Sequence, residues 1–150
     1  MTYGPIAEVR LLRFPLRVWR CAGEHHQELM REFALMTLRP DMAETVPMRL
    51  RGLIASLQER YSGFTEMTNQ ERDAALAAGR EFTDLTYRVP LSAREAAQQL
   101  LELLDEADEF CRQGDLLTMA APPQDVAYRH WFLGEFVRQL SGEPPIPWPG

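Results

Sequence analysis

The chain contains no lysine. All sixteen basic residues among its 150 are arginine, so every cationic contact it makes is a planar guanidinium rather than a flexible ammonium. The bias is that of a GC-rich bacterial coding sequence. Cysteine is nearly absent: Cys21 and Cys111 lie too far apart for a redox or zinc pair, and two reduced, half-buried thiols are expected. No apolar run approaches the ~20 residues that span a bilayer, and no charged-then-apolar leader opens the sequence. A cytoplasmic protein without a membrane role is therefore predicted. The nine glycines are scattered, with no closely spaced pair to cradle a phosphate. Nucleophile-elbow, Walker and His-Glu-x-x-His patterns are missing too, so neither an enzyme nor a bound cofactor is indicated.

What is present is an ordinary globular composition, 45% apolar and 25% charged, of a length suited to one domain. The net charge of −6 is unevenly placed, with +2 over residues 1–60 and −8 over residues 61–150. An acidic chain without a concentrated basic patch argues against nucleic acid as the partner.

Apolar residues recur with a 4-3-4-3 stepping in four segments. These are Ala22, His26, Leu29, Phe33 and Met36; Leu50, Ile54, Leu57, Tyr61 and Phe64; Ala96, Leu100, Leu103, Ala107 and Phe110; and Val126, His130, Leu133, Val137 and Leu140. Tyr128, Phe132 and Phe136 widen the last stripe. Such stepping puts each set on one side of a helix, and amphipathic helices must share a core. Thr68 with Glu71 and Ser92 with Glu95 read as capping boxes, the first opening a short extra helix. The fold predicted is mainly α: an antiparallel bundle of four main helices plus one short one, in a single domain over residues 1–142.

Strands qualify that picture. Leu12, Phe14, Leu16 and Val18 alternate with Arg13, Pro15, Arg17 and Trp19, which predicts an edge strand; a helix beginning at Pro15 is the competing reading. Leu85, Tyr87 and Val89 form a second candidate strand, and Leu116, Leu117 and Met119 a third. A small sheet, or an α+β domain, is the alternative. The apolar edge near Leu12 is open to pairing with a second chain, so a homodimer is compatible with the sequence. The tail, residues 143–150, holds four prolines and Trp148 and is expected to lie over an apolar groove.

Two groups of residues invite a functional reading. His26 and His130 interrupt otherwise apolar stripes and are expected to face inward, as bonded core imidazoles or as ligands. A metal shared between them would draw on Glu28 or Glu32, although the Glu-x-x-His order of di-iron bundles is lacking. Glu102, Asp105, Glu106, Asp108 and Glu109 form an acidic run expected on a solvated face. The one basic concentration is Arg10, Arg13, Arg17 and Arg20 beside Trp19. Either run would suit a charged protein partner, with Trp148 as a further contact, or the two would pair with each other.

The stretches EHHQELMREFALM (24–36), DLTYRVPLS (84–92) and LLTMAAPPQDVAYRHWFLGEFVRQLSGEPPIPWP (116–149) resemble a group of small actinobacterial proteins without an assigned activity. Members accompany partner-switching regulators: anti-sigma kinases, sulfate-transporter/anti-sigma-antagonist domains and their phosphatases. The resemblance implies a non-catalytic regulatory domain that docks a protein partner in stress-response or sigma-factor signalling. It carries over no catalytic residue. The chain lacks the asparagine box and glycine-rich lid of the anti-sigma kinases, so ATP binding is not implied. The second functional reading is a small-molecule or metal sensor with its pocket between helices.

Overall fold

A computed structural model describes residues 4–36, 46–114, 118 and 120–150. Along the chain run β1 (Ile6–Pro15), α1 (Leu16–Met36), α2 (Val46–Ala77), β2 (Phe82–Pro90), α3 (Ala93–Gln113) and α4 (Pro123–Gln139). The architecture is mainly helical, with β1 and β2 paired antiparallel. α1 and α3 each pack on both α2 and α4, while α2 and α4 also reach β2 and β1 respectively. No described helix is long and apolar enough to cross a membrane. The third candidate strand, Leu116, Leu117 and Met119, lies outside the described residues.

The expected four-plus-one bundle is corrected by α2. Nothing between Pro47 and Ala77 breaks the helix, and Thr68 does not open a new one. Its hydroxyl instead crosses to β2 and donates to the Thr86 carbonyl at 2.7 Å. α2 therefore runs for 32 residues. It stops at Gly79, whose φ of +77° lets Arg80 N–H reach the Ala75 carbonyl and Gly79 N–H reach that of Leu76. Gly142 ends the α4 region in the same way, with φ +97° and Glu143 N–H bonded to the Arg138 carbonyl. The predicted start of α3 is right but its mechanism is not. The Ser92 hydroxyl pairs with that of Tyr61 at 2.8 Å rather than capping the helix.

Both readings of residues 10–19 hold in part: the strand runs to Pro15 and the helix begins at Leu16. Of the apolar side inferred from Leu12 onward, Phe14 and Leu16 are fully buried but Leu12 is not, because the phase changes at this point. Val9 and Leu11 point into the core, then a bulge places Leu12 and Arg13 together opposite Asp84. Arg13 adopts φ +56°, unusual for a side chain of its size. Its N–H donates to Asp84 Oδ1 at 2.8 Å, and its guanidinium lies 4.5 Å from the Phe82 ring centre. The extra residue turns Phe14 inward, where it is fully buried among Trp19, Tyr128, Trp131 and Phe132.

The outer edge of β1 is not open at Arg10 and Leu12, contrary to the expectation of a free pairing edge. Gln139 accepts from Arg10 N–H and donates to its carbonyl, both at 2.8 Å, as a neighbouring strand would. The Leu12 carbonyl accepts from Trp148 N–H at 3.0 Å. On the opposite edge Thr68 occupies the Thr86 carbonyl. Side chains and the tail thus stand in for missing strands.

The tail is anchored by Glu135, which is only 2% exposed. It accepts from Ile146 N–H at 2.7 Å and from Gln139 Nε2 at 3.0 Å, and it pairs with Arg138. Arg138 in turn donates to the Pro144 carbonyl at 2.9 Å, and Trp131 Nε1 to that of Ile146 at 2.8 Å. Trp148 is buried against Trp131 and Tyr128, so the tail covers an apolar surface as expected.

Replacing Glu135 by Ala leaves these donors without their acceptor and Arg138 without its partner. The expected loss is about 2–4 kcal/mol in denaturant unfolding, with tryptophan emission moving to longer wavelength as Trp148 becomes wet.

Candidate functional site

Two apolar clusters make up the core. One joins the sheet, α4, the tail and the first turns of α3; the other joins Leu29, Phe33, Leu50, Leu103, Ala107 and Cys111. Leu100 and Leu104 of α3 border both clusters, and beside them lies a cavity of about 260 Å³. Three helices supply its wall at helical spacing. α1 gives Trp19, Ala22, His26 and Leu29; α3 gives Leu100, Leu104 and Asp108; α4 gives Asp125, Tyr128, Arg129, Phe132 and Leu133. The lining is predominantly apolar and aromatic, with His25, His26, Asp108, Asp125 and Arg129 as its ionisable members besides Tyr128.

Arg129 is committed to two acids of α3. Its Nη2 lies 2.6 Å from Asp105 Oδ1 and 2.7 Å from Asp108 Oδ2. The second Asp108 oxygen accepts from Ala121 N–H at 3.2 Å. Burial opposes ionisation of Asp105, but hydrogen bonds from Arg129 and His130, and then their charges, hold its carboxyl below the ordinary range.

Asp125 is in a different position. It sits in the first turn of α4 and is 7% exposed. Burial pushes its pKa up; the charges of His25 and Arg129 only partly offset this, and Asp108 adds to it. A first-turn acid ordinarily complements the helix dipole from solvent. Here the carboxyl faces a cavity instead. Burial, and then the nearby His25, lower the pKa of His26, which favours a neutral imidazole beside the same cavity. Burial raises the phenol of Tyr128 well above its ordinary value, so its hydroxyl stays protonated.

His130, expected inward, is exposed on the rim of α4, its Nε2 2.9 Å from Asp105 Oδ1. The buried face of α4 is rotated toward Tyr128, Phe132 and Phe136, so His26 and His130 do not line one cavity. Glu28 is exposed, and Glu32 accepts from Thr118 N–H at 2.7 Å. Among the described residues no three of His, Cys, Asp and Glu converge to hold a metal ion. Cys21 is exposed rather than half-buried. Burial, reinforced by Asp108 and Glu32, drives the Cys111 thiol up to about 11, which removes it as a nucleophile at neutral pH.

The acidic run of α3 divides. Glu102, Glu106 and Glu109 are exposed and bonded to Gln98, Arg49 and Arg112 respectively. Asp108, expected on a solvated face, is 3% exposed and inside the molecule. Neither run pairs with the other in the described ion pairs: α3 draws its cations from α2, α4 and itself. Arg17 is exposed on α1, Arg13 holds the bulge, and Trp19 stacks under Arg72 at 4.1 Å while walling the cavity.

Sequence reasoning missed Asp125 and Arg129. They stand four apart, flanking Tyr128 in the aromatic row of α4, and a stripe drawn one position further on passes over both. Compared with protein-family models, curated proteins and solved structures, the chain matches none of them.

A carboxyl whose pKa burial raises costs stability as pH rises through its folded value. Asp125→Asn keeps the shape and removes the charge, so its Tm at pH 7.5 is expected to rise by roughly 2–4 °C, about 1 kcal/mol for a domain this size. His26 adds a pH dependence of definite sign. With its folded pKa below the unfolded 6.5, the folded state binds fewer protons, and stability falls as pH drops through 6.5 toward the folded value. Unfolding of His26→Gln between pH 7.5 and 5.5 is expected to show a smaller loss than the unsubstituted chain.

Proposed function

We propose that the chain is a non-catalytic regulatory domain that binds a small, largely apolar molecule in the cavity between α1, α3 and α4. One observation carries this reading: a cavity between three helices is walled by apolar and aromatic side chains, Trp19, Leu100, Leu104, Tyr128 and Phe132, with a few polar groups among them. Pockets between helices with such a lining are common ligand sites. The surroundings favour binding over chemistry. Arg129 is neutralised by Asp105 and Asp108, and among the described residues of the cavity no serine, threonine or cysteine stands beside a base. Benzene fits a dry cavity of ~150 Å³, which scales to roughly ten non-hydrogen atoms for the present space.

Docking of a protein partner, in the partner-switching setting that the resemblance implies, is a second proposal. What favours it is the exposure of Glu102, Glu106 and Glu109 along α3, the helix whose other side walls the cavity. A ligand that shifts α3 would change the surface a partner meets. Asp105, Asp108 and Trp148 are withdrawn from that surface by their internal contacts.

Ala22→Leu tests the cavity. The added side chain projects into the space, so Tm should hold or rise while saturable binding of ten-atom aromatic compounds, read by calorimetry, disappears. A large fall in Tm, or binding equal to that of the parent chain, contradicts the reading.

A further inference from the structure

Residues 143–150 are held as a docked peptide is held. Four of the eight are prolines, which have no N–H, and three of the remaining four amides are bonded. Glu143 N–H reaches the Arg138 carbonyl, Ile146 N–H the Glu135 carboxylate, and Trp148 N–H the Leu12 carbonyl on the edge of β1. Two carbonyls are bonded as well, that of Pro144 by the Arg138 guanidinium and that of Ile146 by the Trp131 indole N–H. All of these contacts read the main chain. Of the eight residues only Trp148 is buried, its ring 5.6 Å from that of Trp131 and 6.4 Å from that of Tyr128. Ile146 and three of the prolines are exposed. Aromatic-lined grooves recognise proline-rich chains because such chains are already extended and lose little freedom on docking.

Two features favour an exchangeable occupant. With one buried anchor and main-chain hydrogen bonds, much of the segment's hold comes from its covalent link to α4, which keeps its local concentration high. The fit is also incomplete. A space of about 220 Å³ beside Trp148 and Gly150, walled by Arg17, Val18, Cys21, Phe82 and Gln124, is left unfilled, and Gly150 has no side chain to enter it. The contacts demand an N–H at the places of Ile146 and Trp148 but none at the four prolines. We propose that the groove between α4 and the β1 edge recognises a proline-rich segment of a partner protein, and that residues 143–150 occupy it in the partner's absence. The pattern that fits is Pro-Pro-x-Pro-Trp-Pro followed by a residue with a side chain. This reading does not depend on a ligand in the cavity.

Two fluorescein-labelled peptides, EPPIPWPG and EPPIPWPL, test it by anisotropy against the full chain and its Trp148→Ala variant, whose own segment has lost its anchor. The variant is expected to bind both peptides about tenfold or more tightly than the parent chain, where the segment competes. The leucine peptide should bind severalfold more tightly than the glycine one, and alanine in place of the peptide tryptophan should abolish binding. No binding to a folded Trp148→Ala chain overturns the proposal, as does binding that ignores the peptide tryptophan or is equally tight in the parent chain. Equal or weaker affinity for the leucine peptide makes the segment of a second copy the fitting occupant and overturns the assignment to a partner protein. If Trp148→Ala does not fold, as read by Tm, Ile146→Pro takes its place, because it removes the amide that Glu135 holds at an exposed side chain. Failure of both variants to fold makes residues 143–150 part of the core and also overturns the proposal.

Discussion

A single extra residue in β1 governs how the two halves of this molecule meet. Without the bulge at Leu12 and Arg13, strict alternation would turn Phe14 to solvent and Arg13 inward. The bulge requires Arg13 to take a left-handed backbone conformation, a strain of about 1–2 kcal/mol for a residue with a β-carbon. Asp84 and Phe82, both on β2, offset it by holding the Arg13 amide and guanidinium. The gain is that Phe14 becomes the hub of an aromatic cluster shared by β1, α1 and α4. Tyr128 and Phe132 of that cluster also wall the cavity. A local irregularity of the sheet thus fixes the rotation of α4, and through it the side chains that face the cavity.

The rotation of α4 divides its polar side chains between the sheet and the cavity. On the sheet side its polar side chains are satisfied: Glu135, Arg138 and Gln139 close β1 and bind the tail in one connected set of hydrogen bonds. Toward the cavity, Arg129 is held by Asp105 and Asp108, and burial raises the pKa of Asp125.

Much of the fold was legible because helix periodicity survives in the sequence. The stripes of α1, the first half of α2 and α3 fall where the structure puts them, as does the alternation of β2, since each rests on local spacing. What was not legible depends on distant groups. Thr68 reads as a cap until β2 offers its hydroxyl a carbonyl. The inward phase of β1 depends on Asp84, 71 residues away. The stripe on α4 was drawn through His130 because Val126, Leu133 and Val137 are apolar at the right spacing. The aromatic row one step earlier wins because Phe14 gives it a partner. The same misplaced stripe hid Asp125 and Arg129. His26 was legible from its position alone, because α1 carries no competing row.

The closure of the β1 edge has a consequence for how the chain acquires its structure. Gln139, which completes the hydrogen bonding of Arg10, follows it by 129 residues, and Trp148 comes later still. During synthesis, at ~5–20 residues per second, β1 waits several seconds for these final contacts. Until they form, its outer edge at Arg10 and Leu12 stands open. Pairing between such remote segments is also intrinsically slow once the chain is free. Among the described elements β1 is therefore the last to be finished, and the nascent chain's exposure to misassociation is concentrated at its outer edge.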